Sequence, residues 1–422
     1  MDIGPQDGPL APVANGSSRR LRYAVLTIVV AALAGYRSGA LPIFRGVLQD
    51  YFGITIQGLG LLYSVGLVPG AVAALAVGIL ITRKGALWAV RVCVAGVGIG
   101  MCLAAIGTRW GIMLAALAVL GCFGHALYVS MQAYLTSLFP NRRRRVISLA
   151  LVAVSSANIL YRLLAKFLLD LQSEVDGVSF ANVLHIPFAV LAILMFVGIF
   201  LYRKAARPPQ APDSQPGVRL SLKWLSGGTM MLVGITILHG ASDTALAMWM
   251  PRVLDSASFP VKAVDPAFVM VGFGLAYAVS RAGLSILPEK TGRRMMLVAP
   301  GILGGAVLLA GILSRSQILT AAGYVAAGFL WSFEYPAALA LISEREPHRY
   351  GTFLAISMLG TSTSAFVVAN LMGWMAGKLG ESGMWAILIV PACGFPLAGI
   401  TGALWLARNA RSGETPPAGA TN

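Results

Sequence analysis

The stretch IQGLGLLYSVGLVPGAVAALAVGILI, residues 56–81, contains no charged side chain. A helix of about 20 apolar residues crosses the hydrocarbon core of a bilayer, which is about 30 Å thick. Glycine is compatible with such a helix, because small residues allow transmembrane helices to approach one another closely. The stretch therefore predicts one membrane-spanning α-helix.

The rest of the chain repeats this apolar pattern. Of its 422 residues, 57% are hydrophobic and only 11% are charged, and the mean hydropathy is +0.77. A soluble domain has about 25% charged residues, so a water-soluble single domain is excluded. We predict an all-α membrane protein with twelve transmembrane helices, at 23–48, 56–81, 86–106, 112–138, 146–169, 183–202, 226–250, 268–287, 295–313, 317–342, 352–375 and 384–407.

A polar segment separates the sixth predicted span from the seventh. It contains Pro208, Pro209, Pro212 and Pro216, and such a composition does not bury enough apolar surface to fold alone. We therefore predict an N-terminal tail at 1–22, a six-helix bundle at 23–202, a linker at 203–225, a second six-helix bundle at 226–407 and a C-terminal tail at 408–422.

Basic residues fall mainly in the loops on one side of the predicted spans. The chain has 32 Lys and Arg residues against 16 Asp and Glu, which gives a net charge of +16. Cytoplasmic loops of membrane proteins carry such an excess, so both termini are expected in the cytoplasm. Membrane topology accounts for the charge, and we expect no nucleic-acid partner.

The remaining composition points away from cofactor chemistry. The four cysteines lie inside apolar segments without ligand-like spacing, and we expect neither a disulfide nor a metal or other cofactor. The chain has no phosphate-binding loop and no His-Glu-x-x-His motif, so we expect neither an ATP-driven pump nor an enzyme. The excess of arginine over lysine indicates a bacterial source, and hence the bacterial inner membrane.

The two halves of the chain repeat at a constant interval. Gly85 follows the second span and Gly292 follows the eighth, 207 positions later. The loops after the fourth and tenth spans, 140–142 and 347–349, are separated by the same interval. A shared offset at two separate loops indicates an internal repeat, and hence two pseudo-symmetric bundles.

The loops at this repeat carry a known signature. Gly78, Arg83 and Gly85 in the first half, and Glu289, Lys290, Gly292, Arg293 and Arg294 in the second, match a glycine, acidic and basic loop pattern. By this pattern the chain resembles the major facilitator superfamily of secondary transporters. The resemblance implies that these residues form cytoplasmic gating motifs, although Thr82 stands at the acidic position of the first motif.

The resemblance also implies which membrane charges matter. Ionisable groups at membrane depth cost about 2.5–3.5 kcal/mol each and are functional candidates by default. In this family, spans one, four, seven and ten line a central cavity. These spans carry Arg37, His125, His239 with Asp243, and Glu334.

Two arginines are candidates for holding a substrate. Arg37 and Arg281 resemble the arginine positions of the monocarboxylate and oxalate/formate branch, where a guanidinium binds the substrate carboxylate through two parallel hydrogen bonds. A structural ion pair with Asp243 or Glu334 is an equally open interpretation. Aromatic side chains beside the candidate charges complete the predicted substrate site, namely Tyr36, Tyr128, Tyr335 and Trp331.

Four groups are candidates for proton coupling: Glu334, Asp243, His125 and His239. The sequence therefore predicts a monomeric transporter that moves a small organic anion through the lipid bilayer by alternating access, coupled to protons. A proton-driven exporter of drugs or lipophilic metabolites is the alternative, since its cationic substrates would bind the two acids. A non-transporting ligand sensor on the same fold remains open as a third interpretation.

Overall fold

The computed structural model describes residues 14–139, 143–175, 179–205, 227–259, 261–286, 292, 295–346 and 350–411. In this part of the chain every regular element is a helix. The α-helices are α1 (Ala14–Ala34), α2 (Tyr36–Ala40), α3 (Arg45–Phe52), α4 (Ile56–Ser64), α5 (Leu67–Lys84), α6 (Ala86–Ala105), α7 (Trp110–Leu138), α8 (Arg143–Glu174), α9 (Phe180–Leu201), α10 (Gly227–Asp255), α11 (Pro266–Ile286), α12 (Met295–Leu313), α13 (Gln317–Trp331), α14 (Glu334–Arg345), α15 (Tyr350–Gly383) and α16 (Ile389–Arg411).

The helices are long enough to cross a membrane. Among the described residues, ten helical stretches have the length and apolar character of a span, and the last of them covers Phe353–Ala410. That stretch contains two crossings, because Gly380, with φ +67° and ψ −176°, interrupts the helical backbone. The pair α1 and α2 supplies the first crossing, so the prediction of a twelve-helix all-α membrane protein is confirmed.

Three predicted spans are each broken into two helices. Gly35 separates α1 from α2, residues 65–66 separate α4 from α5, and residues 332–333 separate α13 from α14. At the third break Pro336 has no backbone N–H to continue the hydrogen bonding of α13, so a new helix begins there. The break places Glu334 in the first turn of α14.

Glycine allows helices α5 and α7 to touch along their backbones. A Cβ atom added at Gly121 would lie 2.1 Å from the carbonyl oxygen of Gly66, and one added at Gly70 would lie 2.6 Å from the carbonyl oxygen of Gly121. Larger residues would force the helices apart. This close contact fixes the position of span four against span two in the first half of the chain.

The two halves contact each other through two pairs of spans, five with eight and two with eleven. Helix α8 packs against α11, and α4 and α5 pack against α15. An Asn370 Nδ2–H donates to Ser64 Oγ at 2.8 Å between α15 and α4. A cavity lies between the two halves, bounded by these contacts.

The gating motifs are partly within the described residues. Gly85 has φ +84° between α5 and α6, and Gly292 has φ +58° just before α12. Both positions favour glycine because a Cβ atom is strained at positive φ. Gly78 lies on α5, and nothing lies within 4 Å of a Cβ atom added there. The Arg83 side chain and Glu289, Lys290, Arg293 and Arg294 lie outside the described residues, as do 206–225 of the predicted linker.

We expect Gly121→Ala to destabilise the protein and Gly124→Ala to leave it unchanged or slightly stabilised. Both glycines lie on α7, so both substitutions improve helix propensity equally, but nothing lies within 4 Å of a Cβ atom at Gly124. Overpacking of this kind costs about 1–3 kcal/mol. Thermal unfolding of the two variants in detergent measures the difference, and equal midpoints would contradict the close contact of α5 with α7.

Candidate functional site

The cavity between the two halves has a volume of about 340 Å³. Its lining comes from both halves, through spans one, two, four and five and through spans seven and eight. The polar and ionisable lining residues are Arg37, Ser38, Tyr63, His125, Tyr128, Ser155, Asn158, Arg162, Asp243, Thr244, Tyr277 and Arg281. Three of them are arginines, and Asp243 is the single carboxylate of the lining.

Arg37 reaches the cavity from the short helix α2. Its Nη1 donates to the Leu117 carbonyl oxygen on α7 at 2.9 Å. A Cβ atom at Gly66 would lie 2.3 Å from this Nη1, so the missing side chain of Gly66 leaves room for the guanidinium. A neutral carbonyl satisfies one donor of Arg37 and leaves its positive charge uncompensated.

Arg281 lies on α11 and faces the first half. Its guanidinium carbon is 4.3 Å from the ring centroid of Tyr277, one helical turn away, which is a cation–π contact. Its Nη1 is 3.5 Å from Ser155 Oγ on α8, at the limit of a hydrogen bond. Its Nε–H is buried and has no hydrogen-bond partner among the described residues.

Arg162 is a lining residue that the sequence did not place in the site, since span five is not one of the four spans implied by the resemblance. Its Nη1 donates to the Met270 carbonyl oxygen on α11, so the side chain crosses from one half to the other. The side chain is buried, with 7% of its surface exposed. Arg162 therefore belongs both to the cavity and to the contact between the halves.

Asp243 faces the cavity from α10. Its Oδ2 accepts a hydrogen bond from Tyr277 O–H at 3.2 Å, and its buried Oδ1 has no partner among the described residues. Neither Arg37 nor Arg281 forms an ion pair with Asp243 or Glu334 in the described structure, which corrects the open interpretation that they do. Arg37 and Arg281 instead contact a carbonyl oxygen, a hydroxyl and an aromatic ring.

Glu334 and His239 form a buried pair beside the cavity. His239 Nδ1 and Glu334 Oε2 are 2.8 Å apart, with 2% and 0% of the two side chains exposed. On the other side of the imidazole, His239 Nε2 is 3.2 Å from Tyr277 O–H. Neither residue belongs to the described lining of this cavity, so a direct contact of span ten with substrate stays a prediction. Tyr277 of α11 lies between this pair and Asp243.

The remaining candidates divide between the cavity and the packed core. His125 and Tyr128 line the cavity, and His125 Nδ1 is 2.8 Å from the Gly121 carbonyl oxygen. Tyr36 is fully buried, edge-on to Tyr161 and Phe188 at 5.3 and 5.1 Å. Among the described residues, Tyr36 is therefore not part of the lining.

Trp331 and Tyr335 also lie outside the lining. Trp331 stacks on Phe395 of α16 with ring centroids 3.7 Å apart, and the Tyr335 ring is 5.8 Å from the His239 ring. Tyr335 therefore contacts a predicted coupling residue rather than the cavity. In this structure α13 packs against α11 and α12, and α14 packs against α10 and α12, so the substrate role of both aromatics stays a prediction.

Tyr277 is another lining residue that sequence reasoning missed. The signal was present, because Tyr277 lies four positions before Arg281 and such positions share one face of a helix. Once Arg281 is a candidate, the residue one turn before it is a candidate for the same face. The contact with Asp243 and His239 on another helix has no such signal in the sequence.

An ion pair joins the two halves near one end of the cavity, and we interpret this end as the closed one. Lys166 Nζ on α8 is 3.1 Å from Asp265 Oδ2, just before α11, and also 3.1 Å from Asp170 Oδ1 on its own helix. These residues lie at the ends of α8 and α11 that are opposite to the chain termini. If the termini are cytoplasmic, as predicted, the closed end is the extracellular one.

Comparison with known proteins identifies the architecture. The sequence profile of the Major Facilitator Superfamily matches residues 26–264. The structure is similar to that of the E. coli fucose:proton symporter FucP, with a TM-score of 0.69 and 15% identity over 92% of this chain and 99% of that chain. FucP in the outward conformation gives 0.68, again at 15% identity and with the same coverage.

A third similar structure is a bacterial homologue of the human lysosomal transporter Spinster, inward-facing and occupied. Its TM-score is 0.69 at 12% identity, over 94% of this chain and 99% of that chain. No curated protein matches this chain in sequence. At such identities the solved structures establish the fold alone.

We expect Asp265→Asn to increase access to the cavity from its closed end by about two- to fivefold, because a partly exposed ion pair contributes about 0.5–1 kcal/mol. Asparagine keeps the cap on α11, where Asp265 Oδ1 accepts from Ala267 N–H at 2.8 Å. The measurement is labelling of Ala247→Cys in the cavity by a membrane-impermeant maleimide applied from that side, with the protein lacking Ala247→Cys as background.

Asp170→Asn is the matched control for this experiment. It removes the other carboxylate near Lys166 but leaves the contact between the halves. The maleimide labelling rate is expected to stay at the wild-type value. If both variants raised the labelling rate equally, the loss of any carboxylate near Lys166 would explain the effect. The ion pair between Lys166 and Asp265 would then not be what closes the cavity.

Proposed function

The chain belongs to the major facilitator superfamily of secondary transporters, and we propose that it moves a small organic anion, bearing a carboxylate, across the membrane by alternating access in exchange for or together with protons. The observation that carries the proposal is the charge of the cavity lining. Three arginines face it, from α2, α8 and α11, against the single carboxylate of Asp243. The lining is therefore electropositive at the depth where substrates of such transporters bind.

An anion compensates this charge better than the protein does. Arg37 and Arg162 donate to backbone carbonyls, which satisfy hydrogen bonds without neutralising charge. Buried charges are costly unless they are paired, so an anionic group between the arginines is strongly favoured. The planar guanidinium of Arg281, whose Nε–H has no partner, suits the two oxygens of a carboxylate.

The size of the cavity limits the substrate. Ligand sites for small molecules have volumes of about 300–1,000 Å³, and the cavity lies at the lower end of this range, at about 340 Å³. Hydroxyl groups of Ser38, Ser155 and Thr244 add hydrogen-bonding capacity beside the arginines. We therefore propose a small polar carboxylate rather than a large lipophilic molecule as the substrate.

Proton coupling follows from the position of Asp243. An anion held by Arg281 would lie near the Asp243 carboxylate, and two negative charges repel each other at this depth. Protonation of Asp243 relieves this repulsion, so the anion and the proton favour each other's binding. Proton symport by the similar fold of the fucose:proton symporter is compatible with this scheme.

The exporter alternative fits the cavity less well. A cationic drug would meet three arginines and one carboxylate, and would therefore be repelled. A non-transporting sensor would bind the same anion without moving it. For localisation we propose the bacterial inner membrane, with the transporter as a monomer and the closed end of the cavity outside.

Uptake into liposomes tests the proposed substrate class. We expect purified protein to accumulate labelled lactate or succinate when a proton gradient is imposed, and not labelled glucose or tetraphenylphosphonium. Accumulation of tetraphenylphosphonium alone would replace the proposal with cation export. Binding of a carboxylate to the protein without uptake would favour the sensor.

Arg281→Lys is expected to reduce carboxylate uptake by about tenfold or more, because lysine offers a point charge instead of the two parallel hydrogen bonds of arginine. The matched control is Arg109→Lys, which makes the same chemical change at an exposed position between α6 and α7. Initial uptake rates of the two variants in liposomes decide the matter. Equal rates would contradict the role of the Arg281 guanidinium.

A further inference from the structure

A continuous line of hydrogen bonds connects the cavity to the buried Glu334. Tyr277 O–H donates to Asp243 Oδ2 at 3.2 Å, and the Tyr277 hydroxyl oxygen is also 3.2 Å from His239 Nε2. On the other side of the imidazole, His239 Nδ1 is 2.8 Å from Glu334 Oε2. Asp243 lines the cavity, while His239 and Glu334 do not. Three helices of the second half, α10, α11 and α14, supply the four side chains.

We infer that this line is a proton relay, in which Tyr277 and His239 pass a proton between Asp243 in the cavity and Glu334, and Glu334 stores the proton outside the cavity until an anion binds beside Asp243. As the path of the coupled proton, the relay rests on the proposed function. As a hydrogen-bonded path between two carboxyl groups, it is testable without any substrate.

The hydrogen-bonding capacity of the four groups allows two complete arrangements. In the first, Asp243 is a carboxylate, Tyr277 O–H donates to it, His239 Nε2–H donates to Tyr277, and protonated Glu334 donates to Nδ1. In the second, protonated Asp243 donates to Tyr277, Tyr277 O–H donates to Nε2, and Nδ1–H donates to the Glu334 carboxylate. Each arrangement uses a tyrosine and a neutral imidazole as one donor and one acceptor.

The two arrangements differ by the movement of one proton. Going from the second to the first, the Asp243 O–H bond breaks as a new Tyr277 O–H bond forms, and the original Tyr277 O–H bond breaks as Nε2–H forms. The Nδ1–H bond then breaks as the Glu334 O–H bond forms. Tyr277 and His239 are neutral before and after, the imidazole proton lies on Nε2 instead of Nδ1, and the net result is one proton moved from Asp243 to Glu334; the reverse steps return it.

The surroundings suit a proton store at Glu334. Its side chain has no exposed surface, and its Oε1 has no hydrogen-bond partner among the described residues. Gly301 lies against this oxygen, since a Cβ atom there would be 2.5 Å from it. A neutral acid is less costly in such a place than a carboxylate with an unpaired oxygen.

The relay is linked to the proposed anion site through Tyr277. Arg281 lies over the ring of Tyr277. Arg281, Arg162 and His239 are all close enough to Asp243 for electrostatic interaction with its carboxylate. At the other end, Glu334 faces His239, whose ring also contacts Tyr335 and Phe395. A proton stored at Glu334 can therefore return to Asp243 when the anion binds, which removes the repulsion between the anion and the Asp243 carboxylate.

Infrared spectroscopy of the full-length purified protein tests the relay. We expect a carboxylic acid band that is lost in Glu334→Gln, and we expect its exchange with deuterated water to be slower by about tenfold or more in Tyr277→Phe. Phenylalanine keeps the ring beneath Arg281 and removes only the hydroxyl. The matched control is Tyr324→Phe, which removes a buried hydroxyl that has no hydrogen-bond partner among the described residues.

The outcomes separate the relay from the proposed function. No band lost in Glu334→Gln, or equal exchange rates in Tyr277→Phe and Tyr324→Phe, would overturn the relay whatever the protein transports. His239→Gln is a second interruption of the same path, should Tyr277→Phe fail to fold, and it must slow the exchange as well. If the spectroscopy gives the expected result and no carboxylate is taken up in liposomes, the proposed function fails and the relay stands.

The role of Tyr277 in coupling proton movement to carboxylate uptake is tested separately, with labelled lactate or succinate in liposomes. We expect Tyr277→Phe to lose far more of the accumulation driven by a proton gradient than of the exchange of labelled for unlabelled carboxylate, because exchange needs no net proton movement. Loss of both to the same extent would overturn the coupling role of Tyr277. Tyr324→Phe is expected to retain both.

Discussion

A charged side chain at membrane depth must find its compensation inside the protein, since transferring it there costs about 2.5–3.5 kcal/mol even on the mildest scales. The described structure meets this demand mainly with neutral partners. Arg37 and Arg162 use backbone carbonyls, and Asp243 uses the Tyr277 hydroxyl. Hydrogen bonds are thereby satisfied while net charge is not, and the cavity keeps the positive charge that makes an anion its natural occupant.

The close packing of small residues serves the same demand. Gly66 touches the backbone of α7 and at the same time leaves the space through which Arg37 reaches the Leu117 carbonyl. A side chain at Gly66 would disturb both the contact with α7 and the position of the Arg37 guanidinium. Gly301 similarly allows α12 to approach Glu334. Glycine in these spans is therefore part of the functional site, although it contributes no polar group to it.

Much of the fold followed from the sequence, because the length and polarity of a span are properties of consecutive residues. The positive φ angles of Gly85 and Gly292 match the loop repeat at an interval of 207. The orientation of each span about its own axis did not follow, because these helices are apolar on all sides. Trp331 therefore looked like a cavity residue and instead stacks on Phe395.

In the site too, the position of a residue along its span could be predicted from the sequence, whereas the direction in which its side chain points could not. Arg37, Asp243 and Arg281 were recognised because a charge at membrane depth is conspicuous in any register. Tyr277 carries no charge, and its importance depends on two hydrogen bonds to another helix. Arg162 was not among the candidates, because its contact with the Met270 carbonyl oxygen joins residues 108 positions apart, which no local pattern reveals.

The proton relay and the anion site lie differently with respect to the two halves of the protein, and this difference affects how each can follow a conformational change. The relay residues all belong to the second half, on α10, α11 and α14, so a movement of one half against the other leaves their hydrogen bonds intact. The anion site combines Arg37 and Arg162 of the first half with Arg281 of the second. An anion between them therefore contacts both moving parts, and only such differential contacts can shift the balance between two conformations. The proton is held by one half while the anion joins the two, and Arg281 above the Tyr277 ring is the place where the two events meet.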